Sequence, residues 1–208
     1  MKVAIFGGTG RTGQLVVQQA LASGYDVIIL ARMPAKLSIQ HEKLSFVTGE
    51  LLDAGRVNEV IQGSDGVLSV LGSGSNKPDY VVARGMKLIL TAMQTNNVRR
   101  IIMSAGAGVR QPGDKPKSMD YLMGLLLRVF AKNVLSDMQE AVREVQASDR
   151  DWTIVRVPML TDQPSQATLK VGLVGDIRSR LSRTDLAAFM VKQLTESTYI
   201  RKAPAISN

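Results

Sequence analysis

The chain has 208 residues, of which 45% are hydrophobic and 21% charged, a composition typical of one globular domain that buries its own core. It contains no cysteine and one histidine, His41, which excludes disulfides, thiolate catalysis, cysteine or histidine-rich metal sites and Ser-His triads. The net charge is +8, but the cations are scattered and no apolar run is long enough for a bilayer, so we expect a cytoplasmic protein with neither nucleic-acid nor membrane partners.

Short apolar strands alternate with amphipathic helices through the first half of the chain. The pattern predicts strands at 3–6, 27–30, 44–47, 66–71 and 100–103, and helices at 12–23, 54–62 and 79–96. Strands that alternate with helices at this spacing indicate βαβ units and a parallel sheet. We therefore expect an α/β Rossmann fold, with a mostly parallel, doubly wound sheet and helices on both faces.

The second half is less regular. It predicts a loop at 105–118, a helical zone at 119–147 broken near 132–133, a strand at 152–157 stopped by Pro158, an extra strand at 167–174, a helix from Ser182 or Thr184 to Leu194, and a strand at 203–206. We expect one domain over 1–208, with its substrate side built mainly from 104–135 and 157–182. The apolar residues of 119–130 indicate either a core or dimer face, or a wall over a planar substrate.

A glycine-rich turn follows the first strand and opens the first helix. Its sequence is Gly7-Gly8-Thr9-Gly10-Arg11-Thr12-Gly13. Gly7 permits the tight turn, Gly10 lets the backbone approach a pyrophosphate, and Gly13 lets the helix pack on the strand. Backbone amides at the helix start, including those of Thr9 and Thr12, are then placed to bind phosphate oxygens. This motif predicts a dinucleotide cofactor.

The residues at the end of the second strand indicate which dinucleotide cofactor the chain prefers. NAD-specific sites place a carboxylate there for the ribose 2′-hydroxyl, whereas this chain has Ala31-Arg32, with Lys36 one turn further on. A guanidinium pairs with a 2′-phosphate that a carboxylate would repel. Arg11 also stands within reach of the adenosine phosphate. The sequence therefore predicts NADPH as the cofactor.

Two other strand ends belong to the predicted cofactor site. Glu50 and Leu51 follow the third strand, where we expect them to border the adenine. Leu71, Gly72 and Ser73 end the fourth strand, beneath the ribose and phosphates.

Ser104, after the fifth strand, is the candidate catalytic residue. It lies at the carboxyl edge of the sheet, where its hydroxyl can bond a substrate atom or the nicotinamide amide, or simply cap the loop. The Tyr-xxx-Lys pair of short-chain dehydrogenases is missing, because Tyr121 is followed four residues later by Leu125, and Tyr80 by Arg84. Without that proton donor, acceptors that delocalise the added charge are favoured: flavins, quinones or linear tetrapyrroles.

On these motifs the chain resembles the atypical short-chain dehydrogenases of the NmrA-like group, and among them the biliverdin-IXβ and flavin reductases. The resemblance covers nearly the whole length and includes 5–13, 24–27, 30–32, 71–72, 103–105 and the distinctive Asp162-Gln163-Pro164. It implies hydride transfer from NADPH to a flavin or tetrapyrrole, with Ser104 and Arg32 in the family's serine and arginine positions. Two family histidines are replaced by Met138 and Met159, which favours flavin reduction over biliverdin reduction. Met103, Pro158, Met159 and Leu160 complete the expected cofactor contacts.

The resemblance implies an NADPH-dependent reductase of a flavin or similar conjugated acceptor, acting as a monomer or homodimer without a metal ion. The alternative is an NADP(H)-binding redox sensor of the NmrA type that binds the cofactor without turnover. An open apolar pocket near Ser104 favours the enzyme, and a partner-sized exposed patch over 119–130 favours the sensor.

Overall fold

The computed structural model describes residues 1–74, 76–106, 109, 131–166, 168–172 and 180–208, without the side chain of Lys36. The strands are β1 Lys2–Phe6, β2 Asp26–Ala31, β3 Leu44–Thr48, β4 Gly66–Ser69, β5 Arg100–Gly106, β6 Asp151–Val157, β7 Met159–Thr161, β8 Lys170–Gly172, β9 Arg180–Ser182 and β10 Ala205–Ser207. The helices are α1 Arg11–Ala22, α2 Ala54–Ile61, α3 Val81–Thr95, α4 Lys132–Ala147 and α5 Arg183–Lys192, with a 3₁₀ turn at Pro34–Lys36.

Eight strands form one sheet in the order β3-β2-β1-β4-β5-β6-β10-β8. Every pairing in it is parallel except that between β10 and the edge strand β8. The remaining strands, β7 and β9, form a separate parallel pair. Strand order reverses at β1, which lies between β2 and β4. The expected α/β Rossmann fold is therefore confirmed.

The sheet is covered on both faces because its central strands are apolar on both. One core cluster joins alternate strand residues to α2, α3 and α4, and the other joins the intervening residues to α1 and α5. In β1, for example, Ala4 and Phe6 belong to the first cluster, and Val3 and Ile5 to the second. Successive strand side chains point to opposite faces, so an uninterrupted apolar run is what a doubly covered strand requires.

Several predicted boundaries were wrong by a few residues. β4 ends at Ser69 rather than Leu71, because its last partner in β1 is Phe6, where β1 itself ends. β5 continues through Gly106, which the sequence assigned to a loop, because Gly106 still pairs with Val157 of β6. The predicted break in the long helical zone corresponds to the start of α4, and 119–130 lie outside the described residues.

The end of the chain also differs from prediction. Pro158 ends β6 as expected, but the next three residues form β7, which the sequence did not indicate. The C-terminal strand lies two residues later than predicted at its start, at Ala205–Ser207. Of the predicted strand at 167–174, the described part is β8, Lys170–Gly172.

The buried side chain of Arg100 lies at the amino edge of the sheet, opposite the carboxyl ends of the strands. The Arg100 guanidinium donates to the carbonyl oxygens of Gln193, at 2.6 and 3.0 Å, and of Asp151, at 2.6 Å. It also donates to the Thr153 hydroxyl at 2.8 Å. Burial lowers the pKa of Arg100 to about 10. This arginine connects the end of α5 to β6 and thereby holds the helix against the amino edge of the sheet.

Candidate functional site

A cavity of about 660 Å³ opens at the carboxyl edge of the sheet, where strand order reverses. Ligands of open α/β sheets bind at such a reversal. The cavity is lined by residues at the ends of β1 to β4 and at the start of α3: Phe6, Gly7, Thr9, Gly10, Leu30, Arg32, Gly49, Glu50, Leu51, Leu52, Val70, Leu71, Gly72, Ser73, Gly74, Asp79, Val81 and Val82.

The glycine-rich turn packs so closely that side chains are excluded at two positions. Gly7 has φ +84°, and a Cβ there would lie 2.9 Å from the backbone carbon and oxygen of Val70. A Cβ on Gly13 would lie 2.0 Å from the carbonyl oxygen of Gly7, which is the close helix–strand approach inferred from the motif. The turn is closed by the Gly10 amide, which donates to the Gly7 carbonyl at 3.0 Å.

The first turn of α1 presents open amide groups beside this cavity. Its N-cap is Gly10, no side chain of the described residues caps it, and no acidic residue stands in its first turn. The helical hydrogen bonds begin with the Gln14 amide on the Gly10 carbonyl, so the amides of residues 11–13 precede the ladder. Open amides and the positive end of a helix dipole together suit a phosphate group. The chain therefore offers a cradle that fits a dinucleotide pyrophosphate.

Arg32 and Glu50 lie at the other end of the same cavity. Arg32 directly follows β2 and is exposed, and it is the one cation among the described residues that line the cavity. Glu50 follows β3, and Asp79 precedes α3. The side chain of Lys36, the second expected cation, lies outside the described residues.

Half of the predicted site residues line the cavity: Gly7, Thr9, Gly10, Arg32, Glu50, Leu51, Leu71, Gly72 and Ser73. Thr12 and Gly13 lie in the first turn of α1 directly behind it. The sequence missed Phe6, Gly49, Leu52, Val70 and Gly74, each next to a predicted residue in the chain, and Leu30, two residues before Arg32. It also missed Asp79, Val81 and Val82, for which no local pattern gives a signal.

Five further predicted residues lie on β5 or run from Pro158 into β7, and they are not among the described residues that line the cavity. Met103 is 1% exposed and packs in the core cluster of α2, α3 and α4, so its side chain is unavailable to a ligand. Ser104, the next residue, points to the opposite face and is half-buried. Pro158 joins β6 to β7, where Met159 is 56% exposed and Leu160 half-buried. The second replaced histidine position, Met138, packs partly buried against the core cluster of α2, α3 and α4.

The Asp162-Gln163-Pro164 segment is attached to two helix starts. Asp162 pairs with Arg183 of α5 at 2.6 Å and, more loosely, with Arg11 of α1 at 3.6 Å. The Ser182 hydroxyl donates to the Gln163 carbonyl at 2.8 Å and caps α5 by accepting from the Thr184 amide. Arg11 is thus directed toward the segment after β7 rather than into the cavity.

The part of the chain that the structure describes contains neither a candidate membrane-spanning helix nor a candidate metal site. None of its helices is long and apolar enough to cross a membrane. Its histidine, aspartate and glutamate side chains form no group of three that could hold a metal ion.

Comparisons with known proteins agree with this geometry. Residues 7–197 match a family model described as NAD(P)H-binding. Among solved structures, the chain is similar to the oxidoreductase ylbE from Lactococcus lactis, with 19% identity and a TM-score of 0.83 over 100% of this chain and 91% of that one. It is also similar to a short-chain dehydrogenase/reductase from Veillonella parvula in complex with NADP, with 16% identity and a TM-score of 0.82 over 100% and 94%. A third is a putative NAD-dependent epimerase/dehydratase from Bacillus halodurans, with 20% identity and a TM-score of 0.81 over 100% and 94%. At these identities the structures show a shared fold.

Proposed function

The chain belongs to the NAD(P)H-binding family, and from that premise we propose that it is an NADPH-dependent reductase of a flavin or a similar conjugated acceptor. One observation carries the proposal: the uncapped start of α1 and the Arg32 guanidinium border the same cavity. The first suits a pyrophosphate, and the second suits the additional phosphate of NADPH.

The preference for NADPH over NADH rests on the end of β2. The chain continues there as Arg32-Met33, so no carboxylate occupies the position that accepts from a ribose 2′-hydroxyl. The two acidic residues on the cavity, Glu50 and Asp79, follow β3 and precede α3 instead. A guanidinium at this position favours a doubly charged phosphate over a hydroxyl.

A conjugated acceptor is proposed because a tyrosine–lysine proton donor is missing. None of the four tyrosines in the sequence is followed by lysine at the fourth position. The fourth residue after Tyr80 is Arg84, whose guanidinium donates to the Asp79 carbonyl at 3.5 Å. Ketone reduction needs a proton delivered to a developing alkoxide, whereas flavins and linear tetrapyrroles spread the added charge over conjugated atoms.

The proposed roles of the cofactor and of individual residues follow from the positions of those residues. When bound, NADPH supplies a hydride, and the acceptor takes up that hydride with one solvent proton, which leaves NADP⁺ and the dihydro acceptor. Ser104, half-buried near the end of β5, donates a hydrogen bond that orients the acceptor or the nicotinamide amide. Met159 on β7 offers an exposed apolar surface for a planar ring.

An acceptor screen tests this function. NADPH oxidation is followed with FMN, FAD, riboflavin, biliverdin and a soluble quinone, and we expect at least one flavin to accelerate it. Ser104→Ala should lower kcat about tenfold, the effect of one lost hydrogen bond in the reacting complex, while NADPH affinity stays nearly unchanged. Ser23→Ala is the matched control, because Ser23 follows the last residue of α1, Ala22, at the amino edge of the sheet.

One outcome would contradict the reductase proposal, and another would contradict the role given to Ser104. If NADPH binds but no acceptor raises its oxidation above the rate without protein, the chain binds the cofactor as a sensor does. If Ser104→Ala reduces binding and turnover equally, Ser104 supports the fold rather than the reaction.

A further inference from the structure

Two helices, α1 and α3, begin at the cavity, and their first turns differ. The start of α1 has no capping side chain. The start of α3 follows Tyr80, which adopts the left-handed conformation with φ +50° and makes no side-chain cap. Asp79, Val81 and Val82 line the cavity on either side of Tyr80. The position of this turn therefore sets one wall of the site.

The first turn of α3 is held by a carboxylate from another helix. Asp137 of α4 accepts the Val82 amide at 3.2 Å with one oxygen and the Ala83 amide at 2.8 Å with the other. Asp137 is 3% exposed, and no cation among the described residues pairs with it. Its charge is therefore balanced by the amides and dipole of α3 alone, within the part of the chain described here.

A second contact ties the loop before α3 to the same helix. Asn76 accepts the amides of Asn133 and Val134, at 3.1 and 3.3 Å, with its side-chain oxygen, so it caps the start of α4. The Asn133 side chain donates back to the Asn76 carbonyl at 2.8 Å. The loop and the turn that follow β4 are thus attached to α4 at two points, through Asn76 and through Asp137.

We propose that Asp137 is a positioning residue of the cofactor site. It fixes the wall formed by Val81 and Val82, and its negative charge occupies the anion-attracting end of α3. Among the described residues that line the cavity, α1 is then the helix whose first amides remain open. The pyrophosphate is therefore directed to the glycine turn, and the adenosine to the opposite wall. This inference rests on the proposed function, because it takes the cavity to be the NADPH site.

The physical basis is the placement of charge. A carboxylate at a helix start satisfies the donors that would otherwise attract phosphate, and it repels phosphate oxygens at short range. The bonds also offset the cost of the left-handed Tyr80 backbone, which is unfavourable for a bulky side chain. Loss of the carboxylate therefore changes both the shape of the wall and the electrostatic preference between the two helix starts.

The test compares binding of the adenosine fragment 2′,5′-ADP and of NADPH by calorimetry in Asp137→Asn and Asp137→Ala. The asparagine retains one acceptor for Ala83 but places an amide donor against Val82 and removes the charge. We expect both ligands to bind about tenfold more weakly in Asp137→Asn, because a displaced wall weakens binding more than the loss of one nearby negative charge strengthens it, with the alanine variant weaker still. Glu140→Gln is the matched control, since Glu140 lies on the same helix and pairs with Arg143 of that helix.

Two further readouts separate positioning from general stability. Hydrogen exchange of the Val82 and Ala83 amides should accelerate in both variants without any ligand. With an acceptor found in the screen, KM for NADPH should rise about tenfold while kcat at saturation is retained, because Ser104 lies on β5, outside the wall that Asp137 positions.

Unchanged affinity for 2′,5′-ADP in folded Asp137→Asn would overturn the proposal, and so would an equal effect in Glu140→Gln. If Asp137→Ala does not fold, the asparagine variant decides the matter. Failure of the proposed function gives a different result, because the unmodified protein would then bind neither ligand, or would bind NADPH without oxidising it in the presence of any acceptor.

Discussion

At the scale of single residues, the glycines of the turn after β1 provide a direct test of packing. Gly13→Ala places a Cβ 2.0 Å from the Gly7 carbonyl oxygen, a backbone atom that cannot move aside. We expect this variant to lose about 3 kcal/mol of unfolding free energy or to fail to fold. Gly10→Ala places its Cβ at 3.3 Å from the same oxygen, so it should keep the fold while obstructing the approach of a phosphate.

Urea unfolding and NADPH titration measure the two effects separately. Gly106→Ala is the control for stability, because a Cβ there meets no atom of the described residues within 4 Å and its φ is not positive. That variant should be neutral or more stable by about 0.5 kcal/mol through a less flexible unfolded chain. A stable, NADPH-binding Gly13→Ala would contradict the close helix–strand approach.

Residues with local roles could be recognised from the sequence, and residues with distant partners could not. The three glycines and Arg32 have roles set by their spacing from a strand end, which the sequence shows directly. Asp137 has its partners 54 and 55 residues away, on the first turn of another helix. Met103 was expected at the cofactor, but alternation along β5 turns its side chain into the core and Ser104 the other way.

At the scale of elements, the start of α5 is where we expect the unfolding free energy to depend on pH in the acid range. Burial by itself would raise the pKa of Asp185, but hydrogen bonds from the Ser165 hydroxyl, the Gln166 amide and the Asn208 side chain hold that pKa below its usual range. A carboxyl group with a depressed folded-state pKa stabilises the fold fully above its unfolded pKa, about 3.9, and loses that stabilisation as pH falls through the folded value.

We therefore expect the unfolding free energy to fall below about pH 4, and Asp185→Asn to reduce that dependence while lowering stability at pH 7. The variant weakens contacts among α5, the segment after β7 and the C-terminus. Urea unfolding at pH 7 and at about pH 3 measures both effects. Glu42→Gln, at an exposed loop position, is the control. An unaltered pH dependence in Asp185→Asn would show that these contacts do not set it.

The sequence predicted the longer elements, and of the three-residue strands it indicated only β8 and β10. Among the described residues, the five helices and the six longest strands, β1 to β6, carry apolar patterns that extend over several residues. β7 and β9 are three residues each and separated by about 20 residues along the chain, so neither shows a period. The place of β10 between β6 and β8 depends on pairing that no local pattern encodes.

At the scale of the whole molecule, the two halves of the chain contribute different parts of the site. The ends of β1 to β4 and the start of α3 form the cavity, and all of them lie before residue 83. Ser104, β7 and the segment at 162–166 come later and lie beyond the described cavity lining. Asp137 and the Asp162–Arg11 pair are contacts through which the later half reaches the earlier one. Cofactor binding should therefore depend mainly on the first half, and the choice of acceptor on the second.

The central claim is that the open start of α1 binds the pyrophosphate and that Arg32 selects the extra phosphate of NADPH. Calorimetric titration with NADPH and NADH in parallel tests it most directly, with Arg32→Gln as the comparison. The expected result is NADPH bound at least tenfold more tightly than NADH, as one charge-assisted phosphate contact implies, with the difference abolished in Arg32→Gln because NADPH alone is weakened. Equal affinity for the two dinucleotides, or binding of neither, would contradict the claim.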